Sequence, residues 1–273
     1  GNHDSTAEAY AEKYGRNFIY LDIWGQGDCG VDGDNVKWIL WKSGLLEIFG
    51  SGEMADYYRY IGYGNTLATD SPWQKYYDKI KICYVYPGVT NIAKSCLSCC
   101  INLDNVVLPD SIEKIGSYAF DDCESLENIL LPDGIINIGN FAFWNCTGLT
   151  SITIPDSVTS IGSYAFSGCT GLTSITIPDS VTSIGGYAFS GCTGLTSITI
   201  PDSVTSIGSY AFSGCTNLTT VTFADGTTVI PKYALYGASS VITVNIPNSV
   251  TSIGSYAFSG CTGLTNITIP DSV

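Results

Sequence analysis

Eleven cysteines, 25 acidic residues and one histidine are the side chains of this 273-residue chain that could do chemistry. Seven cysteines, Cys100, Cys123, Cys146, Cys169, Cys192, Cys215 and Cys261, stand 23 residues apart, with Ala238 on the one missing beat. An alanine in the series means that the slot asks for a small apolar side chain and not for thiol chemistry. Copies related by translation also point their Cβ atoms in parallel, which is wrong for a disulfide dihedral. The ladder is therefore expected to be structural, made of buried free thiols acting as small hydrophobes. Cys96 and Cys99 form a C-x-x-C, but no second pair follows and His3 is the only histidine, so a zinc site has little support. A redox pair, or pairing with Cys29 or Cys83, stays open.

A second ladder is acidic: Asp110, Asp133, Asp156, Asp179, Asp202, Asp225 and Asp271, with Asn248 once. Turn carboxylates bonding backbone amides at an exposed edge are the expected role; calcium bridging between coils is the alternative. These aspartates are copies of one slot, not two differently tuned environments of the kind acid–base catalysis needs. No Ser-His-Asp set, phosphate-binding loop, H-E-x-x-H or G-x-S-x-G occurs. The chain is read as non-enzymatic, with no catalytic residue, cofactor or metal.

The element that must position these ladders is a repeat. Prolines at 109, 132, 155, 178, 201, 247 and 270 are spaced by 23 or twice 23, with Ala224 on the silent beat. The frame extends back to Tyr86 and predicts eight coils over 86–269 and a truncated ninth. Numbered from its proline, each repeat is apolar at positions 4, 7, 11, 12, 15, 18, 21 and 23. In the third these are Ile135, Ile138, Ala142, Phe143, Cys146, Leu149, Ile152 and Ile154. Alternation at 21 and 23 predicts a strand with one face inward. "VTSIG" reads as a shorter extended piece, and "SYAFSGC" as a helical or 3₁₀ turn ended by glycine. One coil cannot bury its own faces, so coils must stack. The fold class is a mainly β repeat solenoid with short helical or 3₁₀ turns and a small α+β amino-terminal cap.

Before the repeats, Ser5-x-x-Glu8 predicts a capped helix ended by Gly15, and "NFIYLDI" a strand. Val36–Leu40 and Leu45–Phe49 read as a hairpin, and Ser71-Pro72 as the start of a helix. "IKICYVY" should be the first strand of the stack, with Ile80, Cys83 and Val85 inward. Residues 1–28 are taken as a tail-like segment and 29–85 as a cap closing the open end of the stack. Between hairpin and helix, Tyr57, Tyr58, Tyr60 and Tyr63 surround Arg59. Tyrosine and arginine favour surfaces that grip a partner, although the rings could simply cover the cap. Outward strand positions 20 and 22 carry Ser and Thr in most coils, but Asn105/Val107 and Asn128/Leu130 near the cap. These residues and the tyrosine segment are the candidate ligand contacts. The seventh repeat is irregular too, with Lys232, Tyr236 and Ile242.

Net charge is −14, with −10 of it in residues 86–273, which argues against nucleic-acid partners and anionic membranes. No apolar run is long enough to span a bilayer. The fragment is expected to be a monomeric piece of a longer chain.

The pattern LPxxIxxIGxxAFxxCxxLxxIxLP, and "IGSYAFSGCTGL" in particular, resembles the BspA-like leucine-rich repeats of the Treponema pallidum type over all eight coils. "CGVDGDNVKWILWKSGLLEIFGSGEM" and "SPWQKYYDKIKICYVYPGVTNI" resemble the lead-in before such arrays, and "STAEAYAEKYGRNFIYL" the tail of a preceding one. The tyrosine segment departs from this pattern as an insertion. The resemblance implies an extracellular or cell-surface protein, bacterial in most cases, that adheres to host proteins, glycans or other cells. A stalk with no ligand of its own is the alternative.

Overall fold

The computed structural model describes residues 22–61 and 67–273, with 59–61 and 67–69 as backbone only. In the third repeat all eight apolar positions are buried, and the same slots repeat down the chain as one continuous core from Cys29 to Cys261. Strands one repeat apart run parallel and in register, Ser151, Ile152 and Thr153 facing Ser174, Ile175 and Thr176, with the hydrogen-bonded ladder interrupted between Asn105–Val107 and Asn128–Leu130 and between Ser174–Thr176 and Ser197–Ile200. A short second strand in each coil pairs likewise, as Ser160–Ile161 does with Ser183–Ile184. The chain thus builds a long-strand row, from Asn105–Val107 to Thr243–Asn245, and a short-strand row, from Asn91–Ile92 to Ser252–Ile253.

The third side of each coil, expected as a helical or 3₁₀ turn, keeps the three-residue spacing of 3₁₀ bonds without forming a helix. It is a run of tight turns in which Ala165, Ser167 and Cys169 donate to carbonyls three residues back. Alternate amides, those of Tyr164, Phe166 and Gly168, instead donate to Gly186, Ala188 and Ser190 of the next coil at 2.8–2.9 Å. Tyr164 (φ 59°) and Gly168 (φ 77°) take the left-handed conformation, which no helix accommodates. Coil-to-coil hydrogen bonding wins over helix because it satisfies the same amides on every floor of the stack.

At the amino end, β1 (Ile23–Gly30), β2 (Gly33–Trp41) and β3 (Leu45–Gly50) form an antiparallel meander. The expected strands at 36–40 and 45–49 lie within β2 and β3. β1 runs across the boundary drawn after Asp28, so residues 23–28 belong to the cap sheet. The expected helix after Ser5 and nearly all of the strand "NFIYLDI" lie outside the described residues. β4 (Arg59–Ile61) and β5 (Leu67–Thr69) form a small antiparallel pair. β6 (Ile82–Val85) then pairs parallel with β3 on one side and with Asn105–Val107 on the other. The cap therefore extends the long-strand row, and Ile80, Cys83 and Val85 point inward as expected.

Register shows how the cap was made from a coil. Leu46 faces Cys83, thirty-seven positions on rather than 23, and the β4–β5 hairpin falls in the excess. Residues 52–57 continue this widened coil along the side of the short-strand row, where Gly52 bridges parallel to Val89. Gly52 donates to Gly88 and Tyr57 to Lys94, while buried Asn91 accepts from the Met54 amide at 2.6 Å. Ser71-Pro72 does not open a helix directly. A 3₁₀ helix spans Gln74–Lys79, and its leading residue, Trp73, makes no capping bond. Trp73 is instead drawn into the core, where it meets Trp38 and Tyr57 edge-on and donates its indole N–H to the Cys96 carbonyl at 2.8 Å.

Candidate functional site

The outward face of the long-strand row is the surface on which the coils differ. Position 22 holds Tyr84, Val107 and Leu130 in the three strands nearest the cap, then Thr153, Thr176, Thr199 and Thr222. Leu130 is 78% exposed and Val107 half-buried, with Asn105 and Asn128 exposed beside them. Tyr84 faces Val107 across one ladder and Glu47 across the other. Behind it Ile39, Phe49 and Tyr86 form a second small apolar cluster, flanked by Trp41 and Tyr84. Glu47 is buried within it and accepts hydrogen bonds from Trp41 Nε1 at 2.7 Å and Tyr86 Oη at 2.6 Å. These two bonds hold the Trp41 and Tyr86 rings in place, and Tyr84 packs on Tyr86 with ring centroids 4.5 Å apart.

The tyrosine segment is not continuous with that strip. Tyr57 is only 7% exposed, so the expectation that it contacts a ligand is overturned: its ring belongs to the core, edge-on to Trp73. Tyr58 is 68% exposed, with the Lys94 ammonium 5.2 Å from its ring centre, beside the turn that follows the short-strand row. Arg59 and Tyr60 lie in β4, where only backbone is described, and Tyr63 lies outside the described residues. The structure thus separates Tyr58 from Val107 and Leu130. The irregular seventh repeat leaves Tyr236 and Ile242 exposed, with Tyr236 edge-on to Tyr233.

The ladder cysteines Cys100 to Cys261, with Cys29, Cys83 and Cys96, are buried free thiols. Each ladder thiol from Cys123 onward donates to a carbonyl 26 residues back, Cys192 to Phe166 at 3.1 Å for example. Burial pushes these thiols up, Cys29 and Cys215 to about 12. The C-x-x-C does not act as a unit. Cys96 lies in the core near Cys83, whereas Cys99 is grouped with Asp121 and Asp122 of the next coil, their donor atoms within 4.8 Å of one another. That thiol and two carboxylates could accept a divalent cation. The ladder aspartates are exposed, and among the described residues their carboxylates make no hydrogen bond. The expected turn bonds come instead from the next residue: Ser157 and Ser180 Oγ donate to carbonyls of the preceding coil at 2.6 and 2.7 Å.

Sequence reasoning missed position 10. Tyr118, Phe141, Tyr164, Tyr187, Tyr210, Tyr233 and Tyr256 stack in one column with centroids 4.3–5.0 Å apart and planes within 9°. All seven have φ near +60°. The 23-residue spacing of the tyrosines was the available signal, but the position lies outside the apolar set.

The description "BspA type Leucine rich repeat region" matches residues 90–195 and 161–273, in six copies. The chain belongs to the BspA-type leucine-rich repeat family. Among solved structures, the Treponema pallidum leucine-rich repeat protein is similar at 34% identity over 59% of this chain and 78% of its own, with a TM-score of 0.57. A leucine-rich repeat protein of Eubacterium ventriosum matches at 23% identity over 91% of this chain and 92% of its own, TM-score 0.40. A leucine-rich cell surface protein of Faecalibacterium prausnitzii matches at 22% over 85% and 92%, TM-score 0.32. No curated protein matches. No helix among the described residues is long and apolar enough to cross a membrane. The BspA-type solenoid is a repeat scaffold.

Proposed function

We propose that this chain is a non-enzymatic, cell-surface or secreted binding module that presents the outward face of its long-strand row, at the cap end, to an extracellular protein or glycan. Leu130 carries the reading: a large apolar side chain mostly in solvent, on a face that is serine and threonine in the four coils that follow. A rigid scaffold binds without an ordering cost, and Val107, Leu130 and the rings of Trp41 and Tyr84 supply the apolar anchor that tight interfaces need. Asn105 and Asn128 add hydrogen-bonding groups at its edge. Tyr58 is a separate contact on another side of the cap.

The test is a double substitution, Val107→Thr with Leu130→Thr, which restores the residue four later coils carry at that position and so preserves the fold. Attachment to matrix proteins, mucins and a glycan array should fall about tenfold or more, while Tyr58→Ser changes it less. Equal attachment by the double variant and the unaltered chain would overturn the assignment. The second reading is a spacer with no ligand of its own. It is favoured by the unvarying Ser/Thr face from Ser151/Thr153 to Thr220/Thr222, and it predicts no attachment by either protein.

A further inference from the structure

We propose that the tyrosine column is an oxidative modification site: adjacent rings among Tyr164, Tyr187, Tyr210, Tyr233 and Tyr256 couple to dityrosine between coils when a haem peroxidase with hydrogen peroxide acts on the protein. The five follow one another without interruption, at centroid distances of 4.5, 4.5, 4.3 and 5.0 Å and with planes 5–9° apart. Such coupling is limited by how often two tyrosyl rings meet, and here the backbone ladder holds them together permanently. The rings lie at the surface; Tyr256, at the end of the column, is 62% exposed and open to an oxidant. The usual competitors are withdrawn, because the ladder thiols are buried and held protonated.

The chemistry balances. Each of two phenols gives up one electron and one proton, and the two radicals join through a new carbon–carbon bond between ring positions ortho to the hydroxyls. Those ring carbons then lose their hydrogens as protons in place of the phenolic ones, which are regained. Two electrons and two protons leave in all, and one hydrogen peroxide takes them up to become two waters. The column also contains its own control: Tyr118 stacks on Phe141 at 4.6 Å with a 7° tilt, the same geometry without a second phenol.

The aspartate ladder makes the test readable, since cleavage before Asp156, Asp179, Asp202 and Asp225 puts Tyr164, Tyr187 and Tyr210 on separate peptides. The full chain, oxidised at low protein concentration, should stay monomeric and acquire dityrosine fluorescence. Its digest should join 156–178 to 179–201 and 179–201 to 202–224, each product lighter by two hydrogens than the sum of its parts. Tyr187→Phe preserves the stack and should lose both products, while 202–224 remains joined to the peptide carrying Tyr233. The proposal fails if the links form only between molecules, if they appear equally in urea-unfolded chain, if the rings merely gain oxygen, or if Tyr187→Phe leaves the fluorescence unchanged.

Discussion

The thiol of Cys192 lies in a slot that another coil fills with Ala238, yet it also donates to the Phe166 carbonyl. Those two facts set its worth. Cys192→Ala should cost about 1 kcal/mol, the value of one modest hydrogen bond. Phe189 is different: it is fully buried and stacked between Phe166 and Phe212 at 5.4 and 5.5 Å. Phe189→Ala should cost about 3–5 kcal/mol, because rigid coils above and below cannot collapse into the hole. Urea unfolding of the two variants checks both. The thiols also set a pH dependence. Burial raises ten of them above their usual value of 9.0, so above it the native state binds more protons than the unfolded chain. Stability should therefore be flat near neutrality and fall as pH rises past 9, until the native thiols themselves titrate, Cys215 at about 12. Melting temperatures measured from pH 7 to 11 test this, and an unchanged melting temperature over that span would contradict it.

At the scale of the element, two backbone features decide the coil's shape. The glycine of "SIG" is a recurrent place of close approach between neighbouring coils: a Cβ on Gly185 would sit 2.3 Å from Ser163 N, and one on Gly208 2.2 Å from Gly186 N. These contacts are backbone, so they cannot swing away. Gly185→Ala should destabilise by about 2–3 kcal/mol, whereas Gly186→Ala, two coils' backbone being no nearer than 3.3 Å, should be close to neutral. Denaturant midpoints of the pair measure the difference. The second feature is the left-handed tyrosine. That conformation costs an L-residue roughly 1–2 kcal/mol, offset here by the amide bond to the next coil and by ring stacking worth about 0.5–1.5 kcal/mol. Both compensations need a neighbour, so neither was visible in a single repeat, and the segment reads as helical until the coils are stacked.

For the whole molecule, the consequence is a structure that adds by coils. Each contacts only the ones above and below, so removing residues 178–200, one full period, should leave a soluble chain with one cooperative transition at a slightly lower temperature. Removing half a period should lower the melting temperature much further, because the truncated coil cannot cover the apolar faces of the coils above and below it. Circular dichroism melts distinguish the two. The coil, its register and its inward residues were legible because translation repeats each requirement along the chain: all eight apolar positions of the third repeat are buried. The candidate site was legible only in part. Val107 and Leu130 stand out as departures from the repeat, and Leu130 is exposed with Val107 half-buried beside it, but Tyr57 lies in the one stretch without a period to count by, and there composition suggested a surface where the fold needed a plug.

The periodic half of this protein was decided by its sequence, since a residue that must fit above and below itself leaves the same letter in every coil. The BspA-type solenoid, its buried thiols and its neutral outer face all follow from that rule. Tertiary structure alone decided the rest: the cap built as a widened coil, the partition of the tyrosines between core and surface, and the aromatic column held in a strained backbone. Each of these depends on contacts between segments far apart in the chain or on neighbours a full turn away, which no local pattern of residues records.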